Sequence, residues 1–121
     1  MWYALPDLEK SAPSEIRAQV TVPDDSPWFS GHFPDNPILP GIAQLNMVAD
    51  IIALSRQEDL YIKHLSRVKF KKIVRPGERL DIHAAATDTI DLYSFRITHE
   101  AQDVCSGMLS VGAKTALTEC P

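Results

Sequence analysis

Cysteine is scarce in this chain. Cys105 and Cys120 are the two among 121 residues, with neither metal-ligand spacing nor the spacing of a redox pair. That excludes a disulfide-stapled scaffold and leaves two ordinary reduced thiols. His64, His83 and His99 fall in strand-like patterns without a partner at ligand spacing, so no metal site is expected. No run approaches the roughly 18 consecutive apolar residues of a membrane span, and Met1 to Lys10 lacks the basic-then-apolar order of a secretory signal. A cytoplasmic location is therefore expected. Positive charge is not in excess: 12 Lys and Arg stand against 16 Asp and Glu, a net charge of −4. With no recognition motif either, nucleic acid is not an expected partner. Internal repeats and low-complexity segments are lacking too.

What remains is ordinary globular material. Hydrophobic residues make up 45% and charged residues 23%, which argues against disorder and against an interaction tail. The length suits one domain, read here as residues 1–121. Glu15 to Val22 alternates, with Ile16, Ala18, Val20 and Val22 on one side, as in a half-buried strand. Asp24 to Pro40 is turn-forming throughout, and an ordered loop of that length is usually functional. Gly41 to Ser55 is helical in period and apolar around most of its circumference, so something must wrap it. Strand composition returns over Tyr61 to Val74, with Val68 and Phe70 opposed to Arg67, Lys69 and Lys71. Pro76 and Gly77 mark a turn. Leu80 to Ala86, Leu92 to Glu100 and Val104 to Lys114 follow as further strands. One long buried helix and about five antiparallel strands can hide their apolar surface if the sheet curls around the helix, an α+β arrangement.

The chemistry concentrates in Gly31 to Asn46, which reads GHFPDNPILPGIAQLN. Pro34, Pro37 and Pro40 each fix φ, so His32 is held in a loop with few alternative shapes. Gly41 then opens the helix without a side chain, and a ligand oxygen can approach the free amides of the first turn, where the helix dipole favours negative charge.

This stretch resembles the 3-hydroxyacyl acyl-carrier-protein dehydratases of fatty-acid synthesis, whose signature runs G-H-F-P-x-x-P-x-x-P-G. Gly31, His32, Phe33, Pro34, Pro37, Pro40 and Gly41 all match, and the R-P-G-E-R-L run at Arg75 to Leu80 looks like the family's P-G-D/E turn. The resemblance covers about Glu15 to Lys114 and implies the hotdog fold. It implies a hydro-lyase acting on a 3-hydroxyacyl thioester of acyl carrier protein or coenzyme A, with no cofactor, in fatty-acid or polyketide-type metabolism. His32 would be the base and the Gly41 N–H the donor to the enolate-like oxygen. The position of the family's Glu or Asp is here Asn46, whose amide orients a hydroxyl or water but exchanges no proton near neutral pH. A catalytically impaired acyl-chain binding subunit and an acyl thioesterase on the same scaffold are therefore the rival readings.

Other positions are candidates as well. Phe33, Pro40 and Asp50 are candidate substrate-binding residues. Asp50 lies one turn beyond Asn46 and would serve as acid if the substrate sat deeper; its bland alternative is a paired or solvated carboxylate near the helix end. Gln44 is either a site contact or an exposed polar residue of the first turns. Trp28, Phe29 and Phe33 either line an acyl channel or anchor the loop. Lys69, Lys71, Lys72 and Arg75, with Arg67 and Arg79, form a basic cluster that would suit an acidic carrier protein or a solvated strand face that resists aggregation. The resemblance also implies a homodimer or a higher oligomer of dimers, with His32 facing Asn46 of a neighbouring chain.

Overall fold

The computed structural model describes residues 7–12, 14–23 and 39–113. In chain order these form β1 (Asp7–Ala12), β2 (Glu15–Thr21), α1 (Gly41–Arg56), β3 (Leu60–Phe70), β4 (Arg79–Ala86), β5 (Leu92–His99) and β6 (Gln102–Ala113). All six strands join one antiparallel sheet in the order β1-β2-β4-β5-β6-β3. Helix α1 packs on β3 at one edge and also on β2 and β4 towards the other, which requires the sheet to curl. This is the hotdog fold.

The alternation seen in the sequence sets the core. Ile16, Ala18 and Val20 of β2, Leu80, Ile82 and Ala84 of β4, Tyr93, Phe95 and Ile97 of β5, and Leu109 and Val111 of β6 are all buried. They close on Ala43, Met47, Val48, Ile51 and Ile52 of α1. Each large side chain so buried contributes on the order of 1.5–3 kcal/mol.

Two elements differ from expectation. β1 adds a sixth strand; its sequence DLEKSA has no apolar alternation, and it forms by pairing with the edge that β2 offers, with Leu8 opposite Ala18 and Glu9 opposite Arg17. β3 ends at Phe70 and does not run on to Val74. The Lys71 and Lys72 amides both donate to the Val104 carbonyl, at 2.8 and 3.3 Å, which breaks the strand register, and the Val74 carbonyl accepts from Leu39 instead.

The C-terminus of α1 closes in a Schellman pattern, with the Gln57 amide donating to the Leu54 carbonyl and the Glu58 amide to that of Ala53. Gln57 takes the left-handed conformation there, φ 56°. Arg56 reaches Asp91 at 2.8 Å and Glu58 at 3.1 Å, tying this helix end to the turn before β5. The hydrogen bond to Asp91 raises the Arg56 pKa.

Candidate active site

Helix α1 begins without a side-chain cap. Pro40 is extended, with φ −61° and ψ 150°, and the Ala43 and Gln44 amides donate to its carbonyl at 3.1 and 3.3 Å. The amides of Gly41 and Ile42 therefore stand outside the helix ladder. Glycine at 41 has a packing reason as well: a Cβ there would lie 2.6 Å from Cζ of Phe70. The sequence places Phe70 inward on its strand, but the structure lays its ring against the start of the helix, 52% exposed. Ile42, part of the expected apolar stripe, is also 52% exposed and Ile73 is 48% exposed. The helix start thus carries an apolar collar.

Both ends of the proline-rich loop are held by one segment. The Val22 amide donates to the Glu78 carbonyl (3.1 Å), the Gly77 amide donates to the Val22 carbonyl (2.8 Å), and the Leu39 amide donates to the Val74 carbonyl (2.8 Å). Gly77 supplies the positive φ of 81° that this turn uses. Glu78 accepts from the Arg75 amide and lies 3.1 Å from Nε2 of His99, whose Nδ1 is 2.8 Å from the Arg79 carbonyl. The family-like turn at Arg75 to Leu80 therefore clamps residue 22, and Val74 just before it holds residue 39. His32 and Phe33, with Trp28 and Phe29, lie outside the described residues, as does Cys120.

Among the expected site residues, Pro40, Gly41 and Asn46 share the first two turns of α1. Ile42, Asn46, Asp50 and Ala53 form the helix's least buried stripe, with Asn46 and Asp50 half-buried. Asp50 lies about 13 Å along the axis from Gly41 at 1.5 Å per residue. It lines an open cleft of about 440 Å³ with Ala53, Leu54, Gln57 and Leu60 at the opposite helix end. The structure thus groups Asp50 with the helix C-terminus and not with Gly41.

Gln44 is not the exposed residue of the alternative reading. It is 3% exposed, and its Oε1 has no hydrogen-bond partner among the described residues. A buried, unpaired amide oxygen costs roughly 1–3 kcal/mol. The sequence held one signal for this: Gln44 interrupts a helix whose other buried residues are all apolar.

The basic residues do not form one free patch. Lys71 lies 3.5 Å from Asp103 and Lys72 donates to Gln102 at 3.2 Å, while Arg79 donates to Gln19. Lys69 and Arg75 are exposed. Another concavity, of about 490 Å³, lies on the outer face of the sheet between Arg17, His83 and Arg96, in register on β2, β4 and β5. Among the described residues no cluster of His, Cys, Asp and Glu is placed to hold a metal ion. None of the described helices is long and apolar enough to cross a membrane.

A family model described as ApeI-like, ApeI dehydratase, matches residues 8–108. This chain belongs to the ApeI-like dehydratases. The match takes in the GHFP motif, Gly41 and the clamp turn alike. Among curated relatives, the 3-hydroxyacyl acyl-carrier-protein dehydratase FabZ of Rickettsia akari is 33% identical over 86 residues, 64% of this chain and 57% of that protein. The FabZ of Streptococcus suis is 38% identical over 73 residues, covering 54% of this chain and 52% of its own. The chain thus spans little more than half the length of these relatives. Among solved structures, the dehydratase heterocomplex ApeI:P from Xenorhabdus doucetiae superposes with a TM-score of 0.78 at 26% identity, covering 89% of this chain and 98% of that one. A hypothetical thioesterase with coenzyme A from Streptococcus pneumoniae has a TM-score of 0.68 at 12% identity, covering 93% and 88%. At that identity the likeness is one of fold.

Proposed function

We propose that this ApeI-like protein is a cytoplasmic hydro-lyase that dehydrates a 3-hydroxyacyl thioester carried by acyl carrier protein or coenzyme A, in fatty-acid or polyketide-type synthesis. The observation that carries the reading is the uncapped start of α1, where the Gly41 amide stands outside the helix ladder and directly follows the loop of the GHFP motif. A thioester oxygen accepting from that amide is stabilised as negative charge develops on it. His32 takes the proton from the carbon beside the carbonyl. The electron pair forms the new carbon–carbon double bond, the bond from C3 to its hydroxyl breaks, and the imidazolium returns its proton to the departing oxygen as water. Asn46 orients the hydroxyl or the water, and Phe33 and Pro40 line the acyl group.

The second catalytic surface comes from another subunit. A homodimer is the arrangement the family resemblance implies; the Xenorhabdus doucetiae relative is a heterocomplex, which makes a different chain the alternative partner. The exposed Lys69 and Arg75 are the residues offered to an acidic carrier protein, while Lys71 and Lys72 are engaged with Asp103 and Gln102.

The test is conversion of 3-hydroxyacyl carrier protein to the enoyl product, and its reverse, by the purified protein alone and by its His32→Ala variant. Slow conversion that depends on His32 supports the reading. No conversion in either direction, with the variant indistinguishable, overturns it. The lack of a carboxylate at Asn46 favours a second reading, an acyl-binding subunit without turnover. Tight acyl-thioester binding with no product, together with large activity created by Asn46→Glu, would establish that one.

A further inference from the structure

We propose that Gln44 is a substrate-binding residue that recognises the 3-hydroxyl group, its Oε1 accepting a hydrogen bond from that hydroxyl while the thioester oxygen rests on the Gly41 amide. The inference rests on the dehydratase reading and names a residue that reading does not use.

Its basis is an amide oxygen buried without a partner. Gln44 is 3% exposed and its Oε1 accepts no hydrogen bond among the described residues, although its helix neighbours Ala43, Leu45, Met47 and Val48 are all buried apolar residues. A leucine or methionine would fill the same space with no polar atom to satisfy. Buried polar groups are almost always paired, and departures from that rule collect at functional sites.

Helix geometry places Gln44 one turn from the Gly41 and Ile42 amides, which stand outside the helix ladder. Residues 41 and 44 are three apart and so share a face, about 4.5 Å along the axis. Helical side chains lean towards the N-terminus, which carries the Gln44 carboxamide back over the first turn. Gly41 has no side chain of its own there, and the Phe70 ring occupies the place where its Cβ would stand, giving the approach to the first turn an apolar wall.

A ligand that satisfies both groups needs an acceptor for the Gly41 amide and, a short distance away, a donor for Oε1. A 3-hydroxyacyl thioester has both: a carbonyl oxygen, and a hydroxyl two carbons along. The enoyl product and a saturated acyl group keep the carbonyl and lack the donor. Gln44 thus distinguishes substrate from product. As the bond to C3 breaks and the oxygen gains its second proton, the departing water still has a hydrogen for Oε1, so the contact survives the step. Gln44 carries no proton of its own to give.

The experiment compares binding of 3-hydroxyacyl and saturated acyl groups of equal length, on coenzyme A and on acyl carrier protein, by calorimetry. It uses the full chain, Gln44→Leu and, as a volume-conserving second variant, Gln44→Met. The native protein should prefer the 3-hydroxyacyl ligand by about tenfold, the value of one ordinary hydrogen bond. Both variants should lose that preference, bind the saturated ligand as before, and melt at higher temperature without ligand. Equal affinity of the native protein for the two ligands, or a preference that persists in the variants, overturns the role of Gln44 and leaves the dehydratase reading standing. Failure of the native protein to bind either ligand on either carrier removes the dehydratase reading, and this inference with it.

Discussion

The Phe70 ring fills the space that a side chain on Gly41 would occupy, with Cζ 2.6 Å from the position of a Cβ. The obstructing atoms are the far end of a side chain and not backbone, so an added methyl group displaces the ring. Gly41→Ala should therefore fold, lose stability by about 1–2 kcal/mol, and lose activity because the ring or the methyl crowds the amide. Pairing it with Phe70→Leu should restore part of both. A double-mutant cycle by urea unfolding should give a coupling of at least about 0.5 kcal/mol; strict additivity would show that the two residues do not meet.

In the proposed reaction Asn46 stands where the family's acid would act. With no general acid on α1 near Gly41, the native protein should be slow, and Asn46→Glu should raise the dehydration rate by about 10² to 10⁴. Because the carboxyl gained acts as the acid and must be protonated, it should also add a limb in which the rate falls as pH rises through its pKa. A variant no faster than the parent would mean that a proton donor already reaches the site from elsewhere.

Much of this was legible in the sequence, because burial on one face imposes a period. The alternation of Ile16, Ala18 and Val20, and of Tyr93, Phe95 and Ile97, marked inward faces that the structure keeps. The all-round apolar character of Met47, Val48, Ile51 and Ile52 required a sheet that curls. What escaped was decided by tertiary partners. β1 has no pattern of its own and forms on the edge of β2. Phe70 continues a strand alternation, yet the side-chain-free surface of Gly41 draws its ring to the helix. Gln44 reads as an ordinary polar residue of a first turn, and its burial is set by tertiary packing.

The clamp on the loop ends should be separable from general stability. Gly77 holds φ 81° and donates to the Val22 carbonyl, so Gly77→Ala forces a Cβ into the left-handed region at a cost of about 1–2 kcal/mol. Because residues 22 and 39 bracket His32, turnover should fall as well. Gln57→Gly makes the contrast at the other end of α1. It removes a similar strain at φ 56° and should add about 0.5–1 kcal/mol with turnover unchanged. Thermal melts and rates on both variants check this, and equal turnover in the two would show that the turn does not position the loop.

Cys105 offers a reading of core integrity through pH. It lies on β6 opposite Phe70 of β3 and Ile97 of β5, fully buried, and burial pushes its thiol up from 9.0 to about 11. Below pH 9 both folded and unfolded chains keep this proton, and the thiol contributes no pH dependence. Between about 9 and 11 the unfolded chain releases it while the native chain holds it, so stability must fall as pH rises through that window, by at most about 1.4 kcal/mol per unit. Urea unfolding at pH 8, 9 and 10 should show this extra slope in the native protein and not in Cys105→Ala, whose stability is lower throughout. Iodoacetamide at pH 8 should leave Cys105 unmodified until the chain unfolds. Modification at the rate of a free thiol would mean that the seam between β3 and β6, and with it the placement of Phe70 over Gly41, opens readily in the native state.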